Sequence, residues 1–265
     1  MKIKEVLSAL ERFAPLPLQE SWDNAGLQVG LTETEVSGAL LCLDVNERII
    51  DEAILKGCNL IVSHHPLLFR GLKTISDLTD VQRTVRKAIQ NNIAVISMHT
   101  NMDNAPGGVN FRMAEKLGMK EVRFLMENGN GTMGALEEPM AADDFVLKVK
   151  KVFGVECAMC NELLRRPVQK VAICGGAGDF LLDEAVKAGA DAFITGEMHY
   201  HIWHGHEQQV QIAVLGHYES EQYTRDILRR VIEAAAPNLS VYDTEVRTNP
   251  IYSYRSHSDT SNHCY

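Results

Sequence analysis

Residues 39–66 read ALLCLDVNERIIDEAILKGCNLIVSHHP, and this stretch decides the fold. Ala39 to Val45 is an apolar run of strand length. Ile49, Ile50, Ala53 and Ile54 then recur at helical spacing, and Gly57 closes the helix. Leu60 to Ser63 is a second strand, and the pair His64-His65 stands just beyond it, before Pro66. The pattern is strand–helix–strand, whose right-handed crossover makes its two strands parallel.

The same pattern returns in the second half. Val168 to Cys174 reads as a strand, Phe180 to Gly189 as a helix, and Ala192 to Thr195 as a strand. Asp51-Glu52-Ala53 is matched by Asp183-Glu184-Ala185. At the same offset Gly57 falls on Gly189, Ser63 on Thr195, and His65 on Glu197. His99 and Asp103 stand four residues apart, as do His217 and Glu221. The expected fold class is therefore α/β: two related α/β/α halves with largely parallel or mixed sheets and a metal site between them. Gly129, Gly131, Gly134 and Pro139 punctuate the middle of the chain. The expected division is residues 1–123, residues 124–252, and a loose tail over 253–265 that carries His257 and His263. Asp143 to Val152 is expected as a short amphipathic helix.

Composition limits the function. The chain has 265 residues, 45% hydrophobic and 23% charged, which is ordinary for a globular protein with a full core. Its net charge is -9 and it has no basic block, which argues against non-specific nucleic-acid binding. Every apolar run is too short to span a bilayer. Ile3, Val6, Leu7 and Leu10 have helical spacing, interrupted by Glu5, so the amino terminus reads as an amphipathic helix and not a signal peptide. Of six cysteines, three lie in or beside strand-like runs and read as small buried hydrophobes, consistent with a reducing cytoplasm. Cys157 and Cys160 have metal-knuckle spacing, but no second pair completes a site.

The chemistry gathers at strand ends. His64 and His65 follow Leu60-Ile61-Val62, Asp103 follows Ile93 to Ile96, and His217 with Glu221 follows Ile212 to Leu215; Glu197 is a sixth residue of this kind. Ligands bind beyond the carboxyl ends of strands in α/β sheets. Imidazole with carboxylate is a ligand set for zinc, iron, manganese or cobalt, and so many groups exceed one tetrahedral shell. Two adjacent ions fit better. Asp103 reads equally as a turn or cap residue. His99 is a proton shuttle, a support for a ligand, or a core histidine. His199, His201, His204 and His206 cluster around Trp203, and on a helix His201 would lie near His204. His201 and His204 are taken as proton-transfer candidates, the others as surface histidines. Trp22-Asp23-Asn24-Ala25-Gly26 reads as a polar turn. Gly175-Gly176-Ala177-Gly178 resembles a phosphate loop but lacks the Lys-Ser/Thr end.

An ordered set of motifs then narrows the reading. Ser21-Trp22-Asp23-Asn24-Ala25-Gly26-Leu27, Ser63-His64-His65-Pro66, His99-Thr100-Asn101-Met102-Asp103, Thr195-Gly196-Glu197 and Gly216-His217 with Glu221 follow one another. Together they resemble the Nif-three-like family, also called the GTP cyclohydrolase I type-two homologue family, over roughly residues 1–252. The resemblance implies two linked α/β domains, a ring-shaped homohexamer and a dinuclear metal centre. It implies metal ligation by His64, His65, Asp103, His217 and Glu221. Gly134 to Val171 runs straight on, without the inserted domain that some members carry. Two functions of different class follow. One is a metal-dependent hydrolase of a small cyclic or nucleotide-like substrate, with two divalent ions per chain and His99, His201 and His204 as catalytic groups. The other is a non-catalytic metal-binding or regulatory ring.

Overall fold

The computed structural model describes residues 1–252; the expected tail over 253–265, with His257 and His263, lies outside the described residues. In chain order the strands are β1 (Gly26–Val29), β2 (Ala39–Cys42), β3 (Leu60–Ser63), β4 (Ala94–Ser97), β5 (Lys120–Phe124), β6 (Thr132–Met140), β7 (Met159–Cys160), β8 (Val168–Cys174), β9 (Ala192–Thr195), β10 (Gln211–Val214) and β11 (Val241–Asp243). The helices are α1 (Ile3–Phe13), α2 (Glu47–Leu55), α3 (Asp80–Gln90), α4 (Thr100–Asp103), α5 (Val109–Leu117), α6 (Ala142–Phe153), α7 (Leu182–Lys187), α8 (His217–Glu221) and α9 (Thr224–Ala235). They form two compact units, residues 1–108 with 222–248, and residues 109–221 with the segment that begins at Asn249.

The first unit is built on a five-stranded sheet in the order β1-β4-β3-β2-β11. All neighbours are parallel except β1, which runs antiparallel to β4. Every residue of β2, β3 and β4 is buried. That is why the sequence reads as continuous apolar runs: strands of a covered parallel sheet bury both faces. Leu40, Cys42, Ile61 and Val95 pack against Ile49, Ile50 and Ala53 of α2 and Val85 and Ala88 of α3. Alternate strand residues point to the opposite face, where α9 packs on β2, β11 and α1. The starts of α2 and α3 are capped by side chains: Asn46 Oδ1 accepts from Arg48 N and Ile49 N at 3.0 and 3.2 Å, and Thr79 and Gln82 close a capping box on α3.

The second unit has a six-stranded mixed sheet, β5-β6-β8-β9-β10-β7. Its middle strands β8, β9 and β10 are parallel, and the pairs β5–β6, β6–β8 and β10–β7 are antiparallel. Phe193, Ala172, Ile212, Leu182 and Ala185 share its core. The internal repeat shows in the register. Cys42 pairs with Ser63 in one sheet, and Cys174 pairs with Thr195 in the other.

Three expectations are corrected in detail. The helix expected from Phe180 to Gly189 begins as a 3-10 turn over Asp179–Leu181, with Phe180 exposed, and is α-helical only over Leu182–Lys187. The strand expected from Ala39 to Val45 is β2 and ends at Cys42, and beyond it Asp44 turns to hydrogen bonds with His65 and Thr248. The histidine-rich segment 199–206 is no α-helix. It is a 3-10 turn over Tyr200–Trp203, held at its start by Asp179 and ended at Gly205, whose φ of +84° breaks a helix. Cys157 and Cys160 flank and form a two-residue edge strand, with Cys160 exposed. Among the described residues no helix is long and apolar enough to cross a membrane.

Candidate metal centre

In the first unit the chain leaves β3 straight into His64 and His65. Ser63 Oγ donates to the His65 carbonyl at 2.9 Å and meets Ser97 Oγ at 2.8 Å, which fixes the exit from the strand. His64 is fully buried and His65 half-buried. His99 follows β4 and is held by Asn101, whose Oδ1 accepts from the His99 N–H at 3.0 Å and whose amide reaches the Ala14 carbonyl at 2.8 Å. One ligand-capable atom from each of His64, His65 and His99 lies within 4.8 Å of the other two. Two adjacent residues of a regular strand would face opposite ways. Here both rings converge because they stand beyond the strand end.

Each imidazole in this set is anchored at Nδ1. His64 Nδ1 lies 2.8 Å from the Met98 carbonyl, His65 Nδ1 2.7 Å from Asp44 Oδ1, and His99 Nδ1 2.7 Å from Asp23 Oδ1. A carbonyl oxygen can only accept, so His64 Nδ1 is the donor in that pair, and a neutral ring so held carries its lone pair on Nε2. The carboxylates impose the same tautomer on His65 and His99. A second hydrogen bond that fixes ring and tautomer is the usual support of a metal-ligating histidine. Asp103 ends the short helix α4, and its Oδ1 is 3.6 Å from His64 Nε2. Donors bound to one ion at ~2.1 Å lie roughly 3.0–3.4 Å apart, so this spacing is close to that of two ligands. As the last residue of α4, Asp103 is not an N-cap.

Asp23 and Asp44 are what the sequence reading missed. Burial raises the Asp23 carboxyl, but hydrogen bonds from His99 and Thr100 outweigh it and bring it down to about 2. Asp44 is likewise raised by burial and lowered further by His65 and Thr248. Both are therefore charged acceptors for the rings they hold. The hydrogen bond from His65 identifies Asp44, and only the fold supplies that contact. Exchanging Asp44 for Asn replaces a charged acceptor with a neutral amide that can also turn a donor toward the ring. Asp44→Asn is expected to weaken metal binding by about 10- to 100-fold, read by competition with a chromogenic chelator; an unchanged affinity would show that Asp44 does not support a ligand.

The second unit carries its own pair. His217 begins α8 just after β10 and Gly216, whose φ is +109°. Its Nδ1 is 2.8 Å from Glu197 Oε1, and its Nε2 is 3.0 Å from Glu221 Oε2. Glu221 is 4% exposed. A lone pair and a carboxylate oxygen this close repel, and a proton or a metal cation between them satisfies both. Glu197 is half-exposed and acts as the acceptor that orients His217. Gly175 to Gly178 proves to be no phosphate cradle. Gly175 N donates to Asn110 Oδ1 at 2.8 Å, Gly176 N to Ser220 Oγ at 2.9 Å and Gly178 N to Thr195 Oγ1 at 3.1 Å, so these backbone donors are already engaged. The loop supports Glu221 instead: Gly176 has φ +60°, and a Cβ there would overlap Glu221 Oε1.

His201 and His204 are exposed, with ring centroids 5.3 and 5.2 Å from that of Tyr200. Neither belongs to a metal-capable cluster among the described residues. His199 is raised by its hydrogen bond to Asp179, at 2.6 Å. His206 Nε2 lies 3.8 Å from Asp183.

Residues 1–250 match the family model described as Duf34/NIF3 (NGG1p interacting factor 3). The chain belongs to the Duf34/NIF3 family. Among relatives, it is 35% identical to a Clostridium perfringens protein named GTP cyclohydrolase 1 type 2 homolog, covering 83% of this chain and 87% of that one. A Campylobacter jejuni protein of the same name is 34% identical, covering 87% and 91%. Among solved structures, a Bacillus cereus protein related to NIF3 superposes with a TM-score of 0.87 at 25% identity, covering 96% of this chain and 99% of that one. A Staphylococcus aureus protein superposes with a TM-score of 0.86 at 27% identity, again covering 96% and 99%. The Duf34/NIF3 fold thus accounts for both sheets of the chain.

Proposed function

We propose that this Duf34/NIF3 protein holds two divalent metal ions on His64, His65, Asp103, His217 and Glu221, and that it is a metal-dependent hydrolase of a small cyclic or nucleotide-like substrate. The observation that carries the reading is the common anchoring of four imidazoles. His64, His65, His99 and His217 each hold an oxygen acceptor at Nδ1, which makes Nε2 the ring atom suited to ligation. The donor set fits the metals: neutral nitrogen plus carboxylate oxygen suits zinc, iron or manganese. The name carried by the relatives, GTP cyclohydrolase 1 type 2 homolog, supports a nucleotide-like substrate.

A divalent pair supplies a lowered water pKa and a clamp on attacking and leaving oxygens. The protein supplies the rest. Asp103 and Glu221 contribute the negative charge that holds cations. Asp44 and Glu197 orient His65 and His217. His99, held by Asp23, is the proposed inner proton carrier, and the exposed His201 and His204 are the proposed outer ones. The proposed assembly is a homohexamer, as the family resemblance implies, and the proposed compartment is the cytoplasm, from the cysteine usage; light scattering is expected to give about six chain masses, and a monomer at micromolar concentration would overturn the assembly.

The activity test uses untagged protein reconstituted separately with zinc, manganese and iron, offered nucleotides, phosphodiesters and cyclic amides. Turnover that vanishes with a chelator and returns with metal supports the hydrolase. Metal-loaded protein without turnover on any of them favours a non-catalytic metal-binding or regulatory ring.

A further inference from the structure

Beside the His64–His65–His99 cluster stand two aromatic rings that nothing in the metal chemistry requires. Trp22 is 58% exposed and Phe69 46% exposed. Their centroids are 5.8 Å apart with an interplanar angle of 65°. His99 forms a third side, 6.1 Å and 72° from Trp22, and 6.2 Å and 82° from Phe69. The same His99 ring lies 5.3 Å from His64 and 5.5 Å from His65. The three rings therefore meet edge to face, at 65° to 82°, with His99 on the side of the metal-capable histidines.

This placement is built into the backbone. Asn24 Nδ2 donates to the Leu68 carbonyl at 2.7 Å, Leu68 N donates to Gln28 Oε1 at 3.1 Å, and Gln28 Nε2 donates to the Asn24 carbonyl at 2.7 Å. The loop carrying Trp22 is thus tied to the loop carrying Phe69. On the other side, Asp23 fixes His99 and Thr100. An indole left more than half in water forgoes much of the burial such a ring ordinarily supplies. Two exposed rings locked beside a cluster of ligand-capable histidines form a stacking surface for something that arrives from solvent.

We infer that Trp22 and Phe69 form a stacking subsite for the planar heteroaromatic ring of the substrate. The inference rests on the metal-site reading above for which end of the substrate is processed, and on the rings alone for the stacking. Aromatic faces take up planar rings with little dependence on their edge pattern. A compact cation would also suit such a corner, but cations held on the neighbouring histidines would repel it, which favours a neutral ring carrying an anionic or carbonyl oxygen. The subsite assigns Trp22 to substrate binding and leaves metal affinity to the histidines and carboxylates.

The test is calorimetry on the zinc-reconstituted full-length protein, with adenosine, AMP, ribose 5-phosphate and tetramethylammonium as separate probes. The Trp203→Phe variant, in which Trp22 is the remaining tryptophan, reports stacking by fluorescence. Adenosine and AMP are expected to bind saturably and to quench Trp22, and ribose 5-phosphate to bind more weakly than AMP. Trp22→Ala should weaken both planar probes by at least about tenfold, and Trp22→Phe should restore most of the affinity. Metal content by elemental analysis should be the same in the parent, Trp203→Phe, Trp22→Ala and Trp22→Phe proteins. No planar probe binding, affinity indifferent to Trp22→Ala, or tighter binding of tetramethylammonium than of adenosine would each overturn the subsite. So would a blue-shifted Trp22 emission insensitive to every probe, which would mean that another copy of the chain fills the corner. Absence of bound zinc would defeat the metal reading alone, since the adenosine measurement still decides the stacking.

Discussion

His65→Ala is expected to leave reconstitution with at least one divalent ion fewer per chain than the parent protein. His65 is half-buried beyond β3, and Asp44 holds its Nδ1 at 2.7 Å. Removing the ring deletes a nitrogen donor and leaves Asp44 without that partner. The remaining donors then have to complete a shell with one member missing, and water is a weaker substitute than an oriented imidazole. The strand that precedes it is secured independently, by the Ser63–Ser97 contact and by full burial of Leu60 to Val62. The variant should therefore fold, and circular dichroism beside elemental analysis separates metal loss from unfolding. An unchanged metal content in folded His65→Ala would remove His65 from the ligand set.

Glu221→Gln is expected to lower turnover on the order of 100-fold or more, once a substrate is in hand. The carboxylate is buried, faces His217 Nε2 at 3.0 Å and is bounded by Gly176. Gln preserves the shape and removes the charge. In a buried setting that charge holds a cation far more strongly than an exposed one would. His206→Ala is the matched control. His206 follows the 3-10 turn at Trp203, is half-buried, has Asp183 at 3.8 Å and Glu207 beside it in the chain, and belongs to no metal-capable cluster among the described residues, so its loss should change turnover little. Full activity in Glu221→Gln would mean that the assigned site is wrong even if the protein is a hydrolase.

The parts of the fold that were readable are those whose burial pattern is one-dimensional. β2, β3, β4 and β9 are buried at every position and so appear as apolar runs. The repeat was readable because Gly57 and Gly189 both take positive φ at the ends of matching helices. β11 was not, since three residues with half-exposed or exposed side chains leave no pattern, and only their pairing with β2 makes them a strand. The histidine-rich segment misled for a different reason. Spacing among polar residues says nothing about backbone conformation, and Gly205 with the Asp179 contact decided it.

The candidate site divides along the same line. His64, His65, Asp103, His217 and Glu221 stood out because each follows an apolar run. Asp23 and Asp44 look like turn residues in the sequence, and Asp23 meets His99 only across 76 residues of chain. Glu197 stood out in the same way, as a sixth residue at a strand end, and the fold adds its contact with His217 Nδ1. The glycine run at 175–178 resembled a phosphate loop because the composition of a close backbone approach is the same whether a phosphate or a carboxylate side chain is what approaches.

The most direct measurement of the central claim is crystallographic anomalous scattering at the zinc edge, on protein reconstituted with zinc. The account predicts two anomalous peaks per chain, each within about 2.0–2.2 Å of Nε2 or carboxylate oxygens drawn from His64, His65, Asp103, His217 and Glu221. No peak at these side chains, or zinc found only on other residues such as Cys157 and Cys160, would contradict it.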